Sequence, residues 1–287
     1  MKDYFYSAVK GFIEAGFAIW NACMSAVLSL LTQTPEEFAN GSLWGTVKSL
    51  EPIFVGVGSS LIVIFFVIGF CSESVDIKSE MRLEVILRIL IRLGLSEALV
   101  VYNLSIVKTI FQCIANLAKL VFGVMDTTGD TTLSIPDKQI KILKDLGAFG
   151  LLPLILIAFI VLLVIASAGF MMLYTVYYRV FKVLIIIPYG SLAFSTMAGN
   201  SRISHTSSSF VKYAITTGLE AVTIILALFL GMKFVNSGIL PEFVAGSTDK
   251  MLLFTIWCLQ TCFTTLLTVG IVKGSQSLTS KALGLPG

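Results

Sequence analysis

Residues 146–178 form a stretch of thirty-three residues without one charged side chain, and this stretch limits what the chain can fold into. A helix of about 20 apolar residues crosses a hydrocarbon core of about 30 Å. The stretch is therefore long enough to span a bilayer with some tilt. We predict a transmembrane helix over residues 147–178.

The end of this stretch combines aromatic and basic residues, namely Tyr174, Tyr177, Tyr178, Arg179 and Lys182. Amphipathic tyrosine rings and snorkelling basic side chains are typical of the lipid headgroup boundary, and basic residues favour its cytoplasmic side. The sequence therefore predicts that the helix leaves the hydrocarbon core here.

A second apolar segment follows at once, over residues 183–198. It contains Pro188, Tyr189 and Gly190, a combination that interrupts regular helix, and it is too short to cross simply. We predict a re-entrant or interfacial segment.

Composition extends this interpretation to the whole chain. Of the 287 residues, 56% are hydrophobic and 13% are charged, whereas soluble domains carry about 25% charged residues. We predict an all-α polytopic membrane protein with an N-terminal amphipathic region, residues 1–48, and a transmembrane domain, residues 49–287. About five transmembrane helices are predicted, at residues 52–72, 95–125, 147–178, 213–232 and 251–272.

The N-terminal region begins with an aromatic, apolar segment that carries Lys10 and Glu14. These charges favour an interfacial amphipathic helix over a span. A signal peptide is the alternative, because residues 15–31 could serve as its apolar core, but no small-residue cleavage motif follows. Next, Thr34-Pro35-Glu36-Glu37 predicts a helix start, with Thr34 as the cap and Glu37 reaching back.

Polar residues recur at regular spacing in the second predicted span. Glu97, Lys108 and Lys119 are eleven residues apart, which places them on one stripe of a helix, and Gln112 lies near that stripe. A charge that faces lipid at mid-membrane costs about 3 kcal/mol or more. The stripe therefore predicts a hydrated conduit or a seam between subunits. Alternatively, Glu97 and Lys119 snorkel at opposite ends and Lys108 alone needs a partner.

Glu220 falls inside the fourth predicted span, about two turns from its start. A buried carboxylate requires a partner, and Lys108 is a candidate. We include Glu220 with the stripe residues in the predicted conduit or seam.

The distribution of cations predicts a topology. With five spans, ten lysines and arginines lie on one side, against seven on the other. Positively charged loops stay in the cytoplasm, so we predict an outside N-terminus and an inside C-terminus. If residues 185–198 cross as well, the chain has six spans and its C-terminal half is inverted.

The residues that support catalysis or metal binding do not form a recognisable set. His205 lies in a serine-rich segment without a GxSxG turn, and no GxxxxGK[ST] phosphate loop occurs. The five cysteines fall within apolar segments and behave as small hydrophobes. We therefore expect no enzymatic activity, no cofactor and no metal site.

The order of these parts resembles the TrbL-type subunits, equivalent to the sixth VirB component, of type IV secretion and conjugation machines. The resemblance rests on five features along the chain: the N-terminal amphipathic helix, the Thr34-Pro35-Glu36-Glu37 lead, the Met81-Arg82-Leu83-Glu84 surface helix, a large outer loop and the Tyr178-Arg179-Val180-Phe181-Lys182 exit. Its most specific part is the segment from Ile187 to Met197, followed by Phe210-Val211-Lys212-Tyr213. The short form without a large soluble domain is most similar to the subunits of Gram-positive conjugative elements.

This resemblance implies a structural channel subunit in the bacterial cytoplasmic membrane. It further implies a homo-oligomeric ring, with a pentamer favoured, in contact with membrane lipid, secretion ATPases and other secretion subunits. The implied transient substrate is single-stranded DNA with its relaxase. The alternative is a small-solute transporter with a broken-helix binding site near Pro188.

Overall fold

The computed structural model describes residues 2–76, 83–126, 132–236 and 249–283, and every secondary-structure element in these ranges is helical. The α-helices are α1 (Lys2–Thr32), α2 (Ser42–Asp76), α3 (Leu83–Val101), α4 (Asn103–Asp126), α5 (Asp137–Asp145), α6 (Ala148–Ser195), α7 (Ser201–Asn236) and α8 (Lys250–Ala282). Two short 3₁₀ helices, Phe38–Gly41 and Thr196–Ala198, connect α1 to α2 and α6 to α7.

The predicted all-α polytopic membrane fold is confirmed. Among the described residues, six helices are long and apolar enough to cross a membrane: α1, α2, α4, α6, α7 and α8. The chain is a multi-pass membrane protein. Residues 127–131 of the predicted outer loop, and Met81 and Arg82 of the predicted surface helix, lie outside the described residues.

Helix α6 is the axis of the fold. It continues without interruption for 48 residues, about 72 Å at 1.5 Å per residue, and includes both Pro153 and Pro188. This corrects the predicted re-entrant segment at residues 183–198, because residues 183–195 continue α6. Ser96 and Asn103 of the neighbouring helices donate to carbonyls in the C-terminal part of α6.

The N-terminal two thirds of α6 are the centre of the basal bundle, formed by α6 residues 148–178 with α1, α8 and the C-terminal part of α7. Helix α1 runs parallel to α6, with Phe12 against Phe159 and Gly16 against Leu162. It buries a continuous face that includes Trp20. The predicted N-terminal helix is therefore present, and its apolar face is packed along α6.

The C-terminal third of α6 is the centre of the distal bundle, formed by α6 residues 179–195 with α2, α3 and the N-terminal part of α7. Helix α2 also runs parallel to α6. Gly58 is close to Ser191, and Gly69 is close to Gly199. Consequently α1 and α2 lie end to end along a single helix, and residues 33–41 join them near Arg179.

Helices α3 and α4 return antiparallel to α6. The chain stays helical across Tyr102, whose amide donates to Ala98 and whose carbonyl accepts from Ile106. Beyond α4, Leu133 exchanges two hydrogen bonds with the Asn21 side chain of α1, at 3.1 and 2.9 Å. The segment 132–145 therefore packs along the basal bundle instead of forming a wholly solvated loop. It ends where Asp145 pairs with Lys250 at 2.8 Å.

The crossing of α4 and α6 depends on Gly190. The Asn103 amide donates to the Ile187 carbonyl at 2.9 Å. A Cβ at position 190 would overlap Asn103 Oδ1 and approach its Cγ at 2.9 Å. Only a residue without a side chain leaves room for this contact.

We predict that Gly190→Ala destabilises the protein by about 1–3 kcal/mol, because the new methyl group must displace Asn103. Gly270→Ala in α8 is the matched control, since nothing lies within 4 Å of the added Cβ, and it should be neutral or stabilising by up to about 1 kcal/mol. Thermal unfolding of both variants in detergent measures the difference. Equal melting temperatures would contradict the assigned contact.

Candidate functional site

Charged and polar side chains collect where the two bundles meet. We call this group the polar layer and define it by six residues: Glu36, Lys108, Gln112, Arg179, Lys182 and Glu220. It lies about two thirds of the way along α6, between the apolar core of the basal bundle and the two smaller cores of the distal bundle.

Arg179, like Glu220, has only 6% of its surface exposed. Its Nη2 donates to the Gly218 carbonyl at 3.1 Å, and its Nε donates to the Thr217 carbonyl at 3.4 Å. Gly218 also allows α4 to approach α7, because a Cβ there would collide with Ile114. The guanidinium therefore links α6 to α7, close to the point where α4 packs against α7.

The position of Arg179 differs from the sequence prediction. Tyr174, Tyr177 and Tyr178 face outward, as expected of a headgroup boundary, but Arg179 points into the bundle. The helical periodicity of the sequence could have predicted that Arg179 faces inward. Met172, Val176 and Val183 are buried on the face of α6 that also carries Arg179, opposite the tyrosines.

Glu220 pairs with Lys182, not with Lys108. Lys182 Nζ lies 3.6 Å from Glu220 Oε2, and the two side chains are 12% and 7% exposed. Lys182 also lies over the ring of Tyr213, at 5.3 Å from its centroid. The suggested partnership of Glu220 with Lys108 is therefore wrong, because Lys182 is one turn of α6 from Arg179 and faces α7.

Lys108 pairs with Glu36 in the α1–α2 connection, with 2.6 Å between Nζ and Oε1. Gln112 donates to the other oxygen of the same carboxylate at 3.4 Å. Both partners of the ion pair are about one-third exposed. The central part of the predicted stripe is thus satisfied within the chain, and the partner that Lys108 requires is Glu36.

The ends of the stripe are exposed. Glu97 accepts a hydrogen bond from Ser59 of α2 at 3.2 Å. Lys119 is exposed and close enough to Glu37 for its charge to act on that carboxylate. The structure thus brings Lys108 and Gln112 into the polar layer and places Glu97 and Lys119 outside it.

The connection that supplies Glu36 has the predicted capping interaction. The backbone amide of Thr34 donates to Glu37 at 2.8 Å, which lowers the pKa of Glu37, and the positive charge of Lys119 acts in the same direction. Instead of the expected helix, a short 3₁₀ turn follows, in which Ala39 and Asn40 have positive φ. Such left-handed residues cost roughly 1–3 kcal/mol when they are not glycine.

The remaining predicted residues lie near the distal bundle. Pro188 and Gly190 are buried within α6, and Tyr189 is exposed with its ring 5.5 Å from that of Phe54. The space beside Gly190 is filled by Asn103. These residues therefore form a helix-packing contact.

Comparisons with protein-family models, with curated proteins and with solved structures find no match to this chain. The role of the polar layer is therefore inferred from its own geometry. A layer of opposite charges inside a membrane bundle is costly to bury unless each charge is paired. Here the pairs join four segments: the α1–α2 connection, α4, α6 and α7.

We predict that Glu220→Leu destabilises the protein by about 3 kcal/mol, because it leaves the Lys182 ammonium buried without its carboxylate. The double variant Lys182→Met, Glu220→Leu should recover most of the loss. Glu14→Leu is the control, since its partner Lys10 is 37% exposed, and it should cost less than about 1 kcal/mol.

Chemical unfolding of the four proteins in detergent provides the comparison. If Glu220→Leu costs no more than Glu14→Leu, or if the double variant is as unstable as the single one, the buried pair does not hold α6 to α7.

Proposed function

We propose that this protein is a ring-forming structural subunit of a membrane conduit, in which several copies surround the passage. The observation that supports the proposal is the length of α6, along which both bundles are built. Helix α6 is about 72 Å long, whereas one hydrocarbon core is about 30 Å thick. Lipid of a single membrane can cover the apolar surface of one bundle but not of both.

Large apolar side chains are exposed on both bundles. On the basal bundle, Leu156 and Phe170 are 66% and 61% exposed, and on the distal bundle, Ile53 and Val63 are 63% and 61% exposed. Soluble surfaces rarely carry contiguous apolar patches of this kind. Neighbouring copies of the protein can bury the exposed apolar surface that lipid does not reach.

The cavity beside Arg179 in a single copy is too small to hold a passage. The cavity beside Arg179 has a volume of about 10 Å³, which is room for about one water molecule. A passage wide enough for a nucleic acid strand therefore has to lie between copies. This agrees with closed cyclic symmetry as the usual arrangement of homo-oligomers.

Helix α2 offers a surface for contact between copies. Gly56 and Ser60 are exposed one turn apart, and nothing lies within 4 Å of a Cβ added at Gly56. Small residues at this spacing let membrane helices approach closely. By contrast, Gly58 and Gly69 are the α2 glycines that contact the rest of the same chain.

The substrate, the membrane and the partners in the proposal come from the resemblance to TrbL-type subunits. We propose that the ring, with five copies favoured, lies in the bacterial cytoplasmic membrane. It passes single-stranded DNA with its relaxase, driven by partner ATPases of a type IV secretion machine. Helices α1 and α8 both run parallel to α6, which agrees with termini on opposite sides of the basal bundle, the N-terminus outside and the C-terminus inside.

The alternative, a small-solute transporter, required a broken helix and a binding site at Pro188. Helix α6 is continuous there, and Asn103 fills the space beside Gly190. The geometry around Pro188 therefore gives the transporter hypothesis no support.

The first test is cross-linking between copies in membranes. We predict that Ser60→Cys forms disulfide-linked dimers on oxidation, in a background with Cys71, Cys113 and Cys262 changed to serine. Ser59→Cys is the matched control, because Ser59 lies about 100° around the helix and faces Glu97 of the same chain. Equal cross-linking at both positions, or none at Ser60→Cys, would count against the α2 contact.

The second test is DNA transfer from a donor cell that lacks the gene. Wild-type protein should restore transfer. Lys108→Leu should restore it poorly, because Glu36 loses its partner, whereas Lys119→Leu should act as wild type because Lys119 is exposed. Unchanged transfer in the absence of the gene would overturn the proposed function.

A further inference from the structure

A groove with an apolar floor runs between α7 and the α3–α4 helix on the distal bundle. Its volume is about 730 Å³, within the range of about 300–1,000 Å³ of pockets that hold drug-sized ligands. The floor is formed by Leu99, Ile106, Ile110, Phe194, Met197 and Val211. Ser204 and Ser207 also line the groove, but most of the floor is apolar, so it suits a hydrocarbon ligand.

One edge of the groove is polar and basic. His205, Ser208 and Lys212 follow each other along α7 at spacings of three and four residues, which places them on one face of the helix. No acidic residue lines the groove. Within the described part of the chain, no side chain pairs with the Lys212 ammonium or the His205 ring.

The helices that form the groove also carry exposed apolar and aromatic side chains. Leu95 and Tyr102 on the α3–α4 side are 46% and 63% exposed, and Tyr213 on α7 is 44% exposed. Tyrosine combines an apolar ring with a polar tip and is enriched where hydrocarbon meets headgroups. An apolar floor beside a cationic edge at such a boundary matches a ligand with a hydrocarbon chain and an acidic head.

We propose that this groove binds one anionic phospholipid of the surrounding bilayer. Its acyl chain lies on the floor between α4 and α7, and its phosphate lies at the edge formed by His205, Ser208 and Lys212. The site needs only a membrane around the protein, so it does not depend on the proposed role in DNA transfer.

The test is a titration of the purified full-length protein in detergent, followed by native mass spectrometry. Three probes are compared: dioleoyl phosphatidylglycerol, dioleoyl phosphatidylcholine and inorganic phosphate. Phosphatidylglycerol should bind more tightly than phosphatidylcholine, which has the same tails, and phosphate should neither bind nor compete. Displacement by phosphate alone would overturn the lipid proposal in favour of a simple anion site.

Two variants separate the headgroup from the tail. Lys212→Ala should weaken phosphatidylglycerol binding about fivefold, the effect of one basic residue near an anionic headgroup, and leave phosphatidylcholine unchanged. Val211→Trp fills the floor and should abolish binding of both lipids. Lys273→Ala on α8 is the control, because Lys273 is exposed and outside the groove.

Circular dichroism and gel filtration show whether Val211→Trp folds. Lys212 is exposed, so Lys212→Ala provides an independent test if Val211→Trp does not fold. The proposal fails if both lipids bind equally and Lys212→Ala changes neither. It also fails if Val211→Trp retains lipid but alters the oligomer mass, which would assign the groove to a second copy.

Discussion

The uninterrupted length of α6 is the constraint on which the rest of the structure depends. Because this helix is more than twice as long as a hydrocarbon core is thick, its neighbours must be arranged in two bundles. Helix α1 belongs to one bundle and α2 to the other. They lie end to end and are joined through the left-handed turn at residues 39–41. The α3–α4 helix and α7 cross the level at which the two bundles meet.

The polar layer at this level connects otherwise apolar parts. Arg179 donates to two α7 carbonyls, Lys182 pairs with Glu220, and Glu36 pairs with Lys108. Buried ion pairs add little net stability, but breaking one is costly, so they favour one arrangement of helices over others. In the proposed ring, the layer fixes the relative positions of the basal and distal bundles in each copy.

The sequence predicted the class of fold well, because apolar runs such as residues 52–72 and 251–272 are set by the thickness of the bilayer. It did not predict that α6 continues through Pro188. The residues that hold this part of α6 against its neighbours, such as Ser96 and Asn103, are distant in the chain. The stripe of α3–α4 predicted that Lys108 needs a partner. The spacing of residues along the sequence could not identify Glu36 as the partner of Lys108. The α1–α2 turn that places Glu36 beside Lys108 depends on tertiary packing.

The central claim is that several copies together cover apolar surface that one bilayer leaves exposed. The mass of the protein extracted in a mild detergent, measured by native mass spectrometry, tests it most directly. The account predicts a particle whose protein mass is a multiple of 31.1 kDa, with co-expressed secretion partners added if they are needed to hold the ring. A protein mass of 31.1 kDa, both without and with the co-expressed partners, would contradict the account.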